Sequence, residues 1–179
     1  MIISSLAVTG RHRLATRSDL PAIVAIYNST VASREVTADT EPVSVASREA
    51  WFDAHSPAHR PLWVVDDADG GLLGWLSFSD FYGRPAYAGT AELSIYLHQN
   101  ARGQGLGRYL MQAAIAHAPV LKVHSLLGFI FGHNVASLSL FERFGFIRWG
   151  NLPNVATLDG VERDLVIMGK RLDLDLDHA

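Results

Sequence analysis

Residues 102–107 read Arg-Gly-Gln-Gly-Leu-Gly and stand between an alternating segment, Ala91 to Leu97, and a helix-forming one, Leu106 to Ala118. A strand that turns into a helix through three glycines restricts the chain to folds that mix the two. Glycine lets the backbone take positive φ and approach a ligand closely. The first turn of the following helix leaves its N–H groups without intrahelical partners, and the positive end of the dipole favours an anion there. The stretch therefore predicts a phosphate-bearing ligand at this turn. No Gly-Lys-Ser/Thr follows, which excludes a Walker-type phosphate loop. Arg108 stands where a dinucleotide fingerprint needs its last glycine, and no βαβ unit opens the chain.

The 179 residues suit one domain with a real core, and a hydrophobic fraction of 49% argues against disorder. A net charge of −3 gives no general pull toward nucleic acid or an anionic membrane. The absence of cysteine excludes disulfides, thiolate nucleophiles and cysteine-ligated metals. Residues 2–8 are apolar but short, with no basic residue before them, which reads against a signal peptide. No run approaches the roughly 20 residues of a membrane span. A cytoplasmic protein is the expectation.

Residues 1–10 read as an extension, 11–172 as the folded domain and 173–179 as an acidic tail. A short strand over Arg11 to Ala15 precedes a helix capped by Ser18 or Asp19, with the stripe Leu20, Ile23, Val24, Tyr27. A long loop over 30–46 leads to a helix over 47–55. Strands over 62–66 and 72–78 are joined at Asp69-Gly70-Gly71. A loop over 79–89 precedes the strand at 91–97, the glycine turn and a helix stopped by Pro119. A strand over 123–131, an Asn134-capped helix ending at Gly145, and strands over 147–151 and 161–168 complete the order. This predicts a mixed α/β sheet.

Alternation places Ala91, Leu93, Ile95 and Leu97 on one strand face and Glu92, Ser94 and Tyr96 on the other. On the bland reading Glu92 decorates a solvated face. On the functional one it lines a cleft beside the anion site, where burial raises its pKa enough for it to act as a base. Asn134 can be satisfied by its own helix, which packs through Leu138, Phe141 and Phe144. His98, His117, His124 and His133 fall on different elements with no i, i+4 pair, so no metal site is expected. His133, beside Asn134, is either a loop residue or a proton donor.

The succession of strand, Arg102-x-x-Gly105-x-Gly107, helix, strand and Asn134-x-x-Ser137 with Gly145-Phe146 resembles the GNAT superfamily of acetyl-CoA-dependent N-acetyltransferases. It is most similar to the phosphinothricin and methionine sulfone acetyltransferase branch. That branch is matched at Arg13-x-Ala15-Thr16-x-x-Asp19, Ile26-Tyr27-Asn28, Glu41-Pro42, Trp51-Phe52, Glu92-x-Ser94-x-Tyr96 and His98. The resemblance implies a mostly antiparallel twisted sheet flanked by helices, with a splayed central strand pair forming a CoA cleft. It implies Glu92 as general base, and backbone contacts from Ile95, Tyr96 and Leu97 to the pantetheine arm. Arg102, Gly103, Gln104, Gly105, Leu106, Gly107 and Arg108 would hold the pyrophosphate, and Asn134 would bond the cofactor near its thioester end. Tyr82, Arg84, Glu92, Leu93 and Ser94 would meet the acceptor, Arg84 as a clamp for its anionic group. The implied acceptor is a small amino-acid-like primary amine, the cosubstrate acetyl-CoA, the assembly a homodimer, with no metal.

Two departures stand out. Leu93 replaces a histidine usual in the branch. Phe141 occupies the place of a Tyr or His that many GNAT enzymes use as an acid, so the CoA thiolate is protonated elsewhere or leaves unprotonated, its thiol pKa being about 8.5. Two other readings stay open: the same chemistry on a polyamine, aminoglycoside or protein N-terminus, and a non-catalytic acyl-CoA-binding module.

Overall fold

A computed structural model describes residues 12–172. The expected extension at 1–10, the tail at 173–179 and the start of the first strand at Arg11 lie outside the described residues. The elements run β1 (Arg13–Leu14), α1 (Leu20–Val31), α2 (Glu49–Asp53), β2 (Leu62–Asp66), β3 (Leu72–Asp80), β4 (Thr90–Leu97) and α3 (Leu106–His117). They continue with β5 (Ser125–Phe131), α4 (Val135–Arg143), β6 (Ile147–Leu158) and β7 (Val161–Arg171). One seven-stranded sheet has the order β1-β2-β3-β4-β5-β7-β6. Every neighbouring pair is antiparallel except β4–β5.

Alternation along the strands divides the core between the two faces of the sheet. On one face Trp63, Val65, Leu76, Leu93 and Leu126 pack against Leu106, Leu110 and Met111 of α3 and Leu138 and Phe141 of α4. On the other, Leu62, Val64 and Trp75 pack against Ile23 and Ile26 of α1. Four consecutive residues, Leu62 to Val65, serve both layers because β2 is covered on both sides.

Several boundaries differ from the sequence-based expectation. A 3-10 turn over Arg17–Asp19 precedes α1, and Asp19 reaches back to accept from the Thr16 N–H at 2.7 Å instead of capping α1. The helix expected over 47–55 opens as a 3-10 turn at Ala46–Arg48 before α2 begins. The hairpin of β6 and β7 is longer than predicted. Pro153 and Asn154 read against a strand, yet the pairing spans them through a register shift between Leu152 and Ala156. An irregularity of this kind is tolerated on an edge strand. The hairpin closes on Asp159 and Gly160, both at positive φ, as a tight two-residue turn requires.

The connection after β3 is pinned from below. Arg60, only 2% exposed, pairs with Asp80 Oδ1 at 2.7 Å and donates to the carbonyls of His59 and Ala88. A guanidinium so deep in the fold is tolerated because carboxylate and carbonyl acceptors surround it.

Candidate active site

The polar face of the two central antiparallel strands forms the floor of a cavity of about 250 Å³. Its residues sit in direct cross-strand pairs: Trp75 opposite Tyr96, Ser77 opposite Ser94, and Ser79 opposite Glu92. The Trp75 and Tyr96 rings stack with centroids 4.5 Å apart, and Trp75 Nε1 donates to the Ile23 carbonyl at 3.1 Å, which fixes the floor against α1. Tyr27 of α1, Val43 of the long loop, and Arg48 and Trp51 from the α2 region close the cavity.

Among the described residues two charged side chains line this space, Glu92 and Arg48. Burial pushes the Glu92 carboxyl above the usual carboxylate range, because the anion is poorly solvated there. Burial likewise drives the Tyr96 phenol well above its ordinary value, so it stays protonated and can donate a hydrogen bond. Arg48 Nη2 donates to Asp39 Oδ2 at 2.7 Å, and its guanidinium lies 4.9 Å from the Tyr27 ring centroid. The Tyr27 hydroxyl bonds Asp39 in turn and shares a hydrogen bond with Thr37. Sequence reasoning missed Arg48. The usable signal was its i, i+3 spacing from Trp51, which brings both to one wall.

A second space opens where β4 and β5 part. Their parallel pairing covers Thr90, Ala91 and Glu92 opposite Ser125, Leu126 and Leu127 and ends there. Beyond it β4 stays with β3 through Leu97, while β5 stays with β7 through Phe131. The cleft between them measures about 660 Å³ and runs along Leu93, Ser94, Ile95, Tyr96 and Leu97. Ser94 and Tyr96 line both spaces, so the cavity and the cleft share a wall.

The far end of the cleft is the glycine turn, where Arg102, Gly103, Gly105, Gly107 and Arg108 line it. Gly103 and Gly105 have φ of +73° and +86°, which only glycine adopts without strain. Tyr109 is the first of the turn and helix to find a helical acceptor, the Gly105 carbonyl at 3.0 Å. Among the described residues the preceding amides from Gly103 to Arg108 bond to no backbone acceptor. They form an anion cradle. Two expected members do not line it: the Gln104 side chain donates to the Asn100 carbonyl, and Leu106 is buried in the core. Both can contribute only through the backbone.

Asn134 lines the cleft, but its side chain is already engaged. Oδ1 accepts from the Ser137 N–H at 3.0 Å as the α4 cap, and Nδ2 donates to the Glu35 carbonyl at 3.1 Å. Its neighbour His133 donates from Nε2 to the Arg34 carbonyl at 2.8 Å. These bonds tie the segment after α1 to the cleft and leave His133 without an Nε2 proton to give. Leu93 lies on the strand face away from Glu92, in the core and along the cleft. Tyr82 and Arg84 stand on the exposed loop after β3, and within one chain they line neither space. Among the described residues no three His, Cys, Asp or Glu side chains are grouped to hold a metal.

A splayed strand pair, an amide cradle at one end and a half-buried carboxylate near the other form a coherent site, and residues 12–147 match the acetyltransferase (GNAT) domain family. The chain belongs to the GNAT acetyltransferases. It is 54% identical over 160 residues to the Bacillus subtilis protein named "Putative phosphinothricin acetyltransferase YwnH", covering 89% of this chain and 98% of that one. It is 38% identical over 156 residues to an L-methionine sulfoximine/L-methionine sulfone acetyltransferase of Pseudomonas paraeruginosa, covering 87% and 91%. Among solved structures, a GNAT superfamily phosphinothricin acetyltransferase from Sinorhizobium meliloti in complex with AcCoA superposes with a TM-score of 0.85. The two are 29% identical, with 92% of this chain and 89% of that chain covered. The protein is thus an acetyl-CoA-dependent N-acetyltransferase. The residues fit that donor: the unpaired edge of β4 suits an extended arm, and the cradle suits a pyrophosphate.

Proposed function

We propose that this enzyme acetylates the primary amine of a small amino-acid-like acceptor of the phosphinothricin, methionine sulfone or methionine sulfoximine type. The observation that carries the reading is the cavity of about 250 Å³ holding Glu92 on its floor and sharing a wall with the cleft. That volume falls below the range of drug-sized pockets, which favours a small amine over an aminoglycoside. Among the described residues the cavity has a single carboxylate accompanied by a guanidinium, which disfavours a polyamine. The names of the relatives point to the same acceptors.

Acetyl-CoA supplies an activated acetyl group. Backbone groups of Ile95, Tyr96 and Leu97 would hold its pantetheine arm as an added strand, and the amides from Gly103 to Arg108 its pyrophosphate, with Arg102 alongside. Asn134 serves by holding the cleft wall. An ammonium is not nucleophilic, so Glu92 takes its proton, directly or through a water held by Ser94. A carboxyl raised by burial is a stronger base than an ordinary carboxylate. Holding the amine at the end of the cleft supplies much of the rate.

The catalytic unit spans 11–172. A cytoplasmic location and a homodimer complete the proposal. Exposed Ile147, Trp149 and Val155 on the edge strand β6 support the dimer, since apolar groups in one region favour a partner. Among the described residues no helix is long and apolar enough to cross a membrane. The test is thiol release from acetyl-CoA against a panel of amines. L-methionine sulfone, L-methionine sulfoximine and phosphinothricin should turn over, and spermidine and kanamycin should not. CoA binding with no turnover on any amine would favour the non-catalytic module instead.

A further inference from the structure

The cavity around Glu92 contains a second charge that the donor chemistry does not use. We infer that Arg48 recognises the carboxylate of the acceptor, so that the cavity selects a zwitterion with its ammonium at Glu92 and its carboxylate at Arg48. This rests on the amino-acid-like acceptor proposed above.

Arg48 is placed in advance of binding. Asp39 holds Nη2 at 2.7 Å, and the Tyr27 ring lies under the guanidinium at 4.9 Å. A side chain fixed by two neighbours loses little freedom when a ligand arrives. The tie to Asp39 uses only part of the guanidinium. Among the described residues Nε and Nη1 have no protein acceptor, although the side chain is only 30% exposed. Donors left over on a half-buried guanidinium beside a cavity suit a carboxylate, which guanidinium groups grip with directed paired hydrogen bonds.

Asp39 does not cancel this preference. Its Oδ2 already accepts from both Arg48 and the Tyr27 hydroxyl, so its charge is spread over two donors outside the cavity lining. Glu92 and Arg48 also face a common group. Burial dominates the upward shift of the Tyr96 phenol, but Glu92 raises it further and Arg48 lowers it. Both charges therefore act on the same phenol, and Tyr96 lines the cavity with them. The expected clamp at Arg84 does not reach this space within one chain.

The test compares L-methionine sulfone with its primary carboxamide, in the wild type and in Arg48→Met. Both acceptors keep the amine, and only one keeps the carboxylate. Loss of a charge-assisted pair should raise KM for the acid by about 10- to 100-fold with a smaller change in kcat. KM for the amide should stay the same in the two proteins, and the wild type should prefer the acid by a similar factor. Arg48→Lys, which keeps the charge, should fall between them and serves if the methionine variant folds poorly. Equal use of acid and amide by the wild type, or an equal loss on both in Arg48→Met, overturns the clamp and leaves the amino-acid-like acceptor standing. Acetylation of neither by the wild type overturns both.

Discussion

The ring of Phe141 lies over Gly128, in the space that a Cβ on that glycine would fill. Phe141 also meets Phe146 edge-on at 4.8 Å and is buried. Where relatives in the superfamily use an acid, this chain thus has a packing contact between α4 and β5. Gly128→Ala should overpack it and cost about 1–3 kcal/mol. Combining it with Phe141→Leu should recover part of the loss, so that the two changes are not additive. Urea denaturation of the single and double variants measures the coupling, and simple additivity would show that the two residues do not share the space.

Glu92→Gln should reduce turnover by about 100- to 10,000-fold at neutral pH, the usual contribution of a positioned base. It should also stabilise the fold there. Burial raises the folded-state pKa of Glu92 above its unfolded value. Between those two values the folded protein binds more protons, so stability falls as pH rises through the window. Glutamine carries no such penalty. The melting temperature of Glu92→Gln should exceed that of the wild type at pH 8, and the difference should vanish below the ordinary carboxylate range. A wild-type kcat/KM that did not decline on acidification would argue against Glu92 as the base.

Gly105 has φ of +86° with nothing within 4 Å of a would-be Cβ, so the demand there is conformational and not steric. Gly105→Ala should weaken CoA binding by about tenfold, since left-handed backbone costs an L-residue roughly 1–2 kcal/mol. Gly105→Asn should lose less, because asparagine tolerates that region, and Gly105→Val more. Calorimetric titration with CoA ranks them. Equal affinities across the series would mean that the turn does not hold the anion.

The strand, the glycine turn and α3 were legible because period-two alternation, three glycines and a helical stripe coincide within thirty residues. Glu92 was legible for the same reason, since alternation alone assigns it to a polar face. Arg48 was not. What makes it a site residue is the folding of the α2 region over the β3–β4 floor, a tertiary event that leaves only the faint i, i+3 spacing with Trp51. Gln104 and Leu106 read as members of the cradle because a motif is contiguous in sequence. Its side chains diverge in space, Leu106 into the core and Gln104 onto Asn100. The length of β6 was hidden by Pro153 and Asn154, whose propensities are overridden at a bulged edge.

Arg13 ties the start of the domain to its second strand, pairing with Asp19 at 2.8 Å and Asp66 at 2.7 Å. Its hydrogen bond to Asp19 does most to hold that carboxyl down, at about 2, with the Thr16 N–H assisting. Asp19 is 12% exposed but Arg13 is 40% exposed, so solvent screens the pair. Asp19→Asn should therefore cost only about 1 kcal/mol, on the scale of a well-formed surface pair. The depressed pKa means that this stability is present above the ordinary value of 3.8 and is lost as pH falls through about 2. Urea midpoints at pH 7 and pH 5 should show the same deficit for Asp19→Asn, and the deficit should shrink between pH 4 and pH 2. A deficit that persisted undiminished at pH 2 would assign the effect to lost packing around Thr16 and not to the ionised pair.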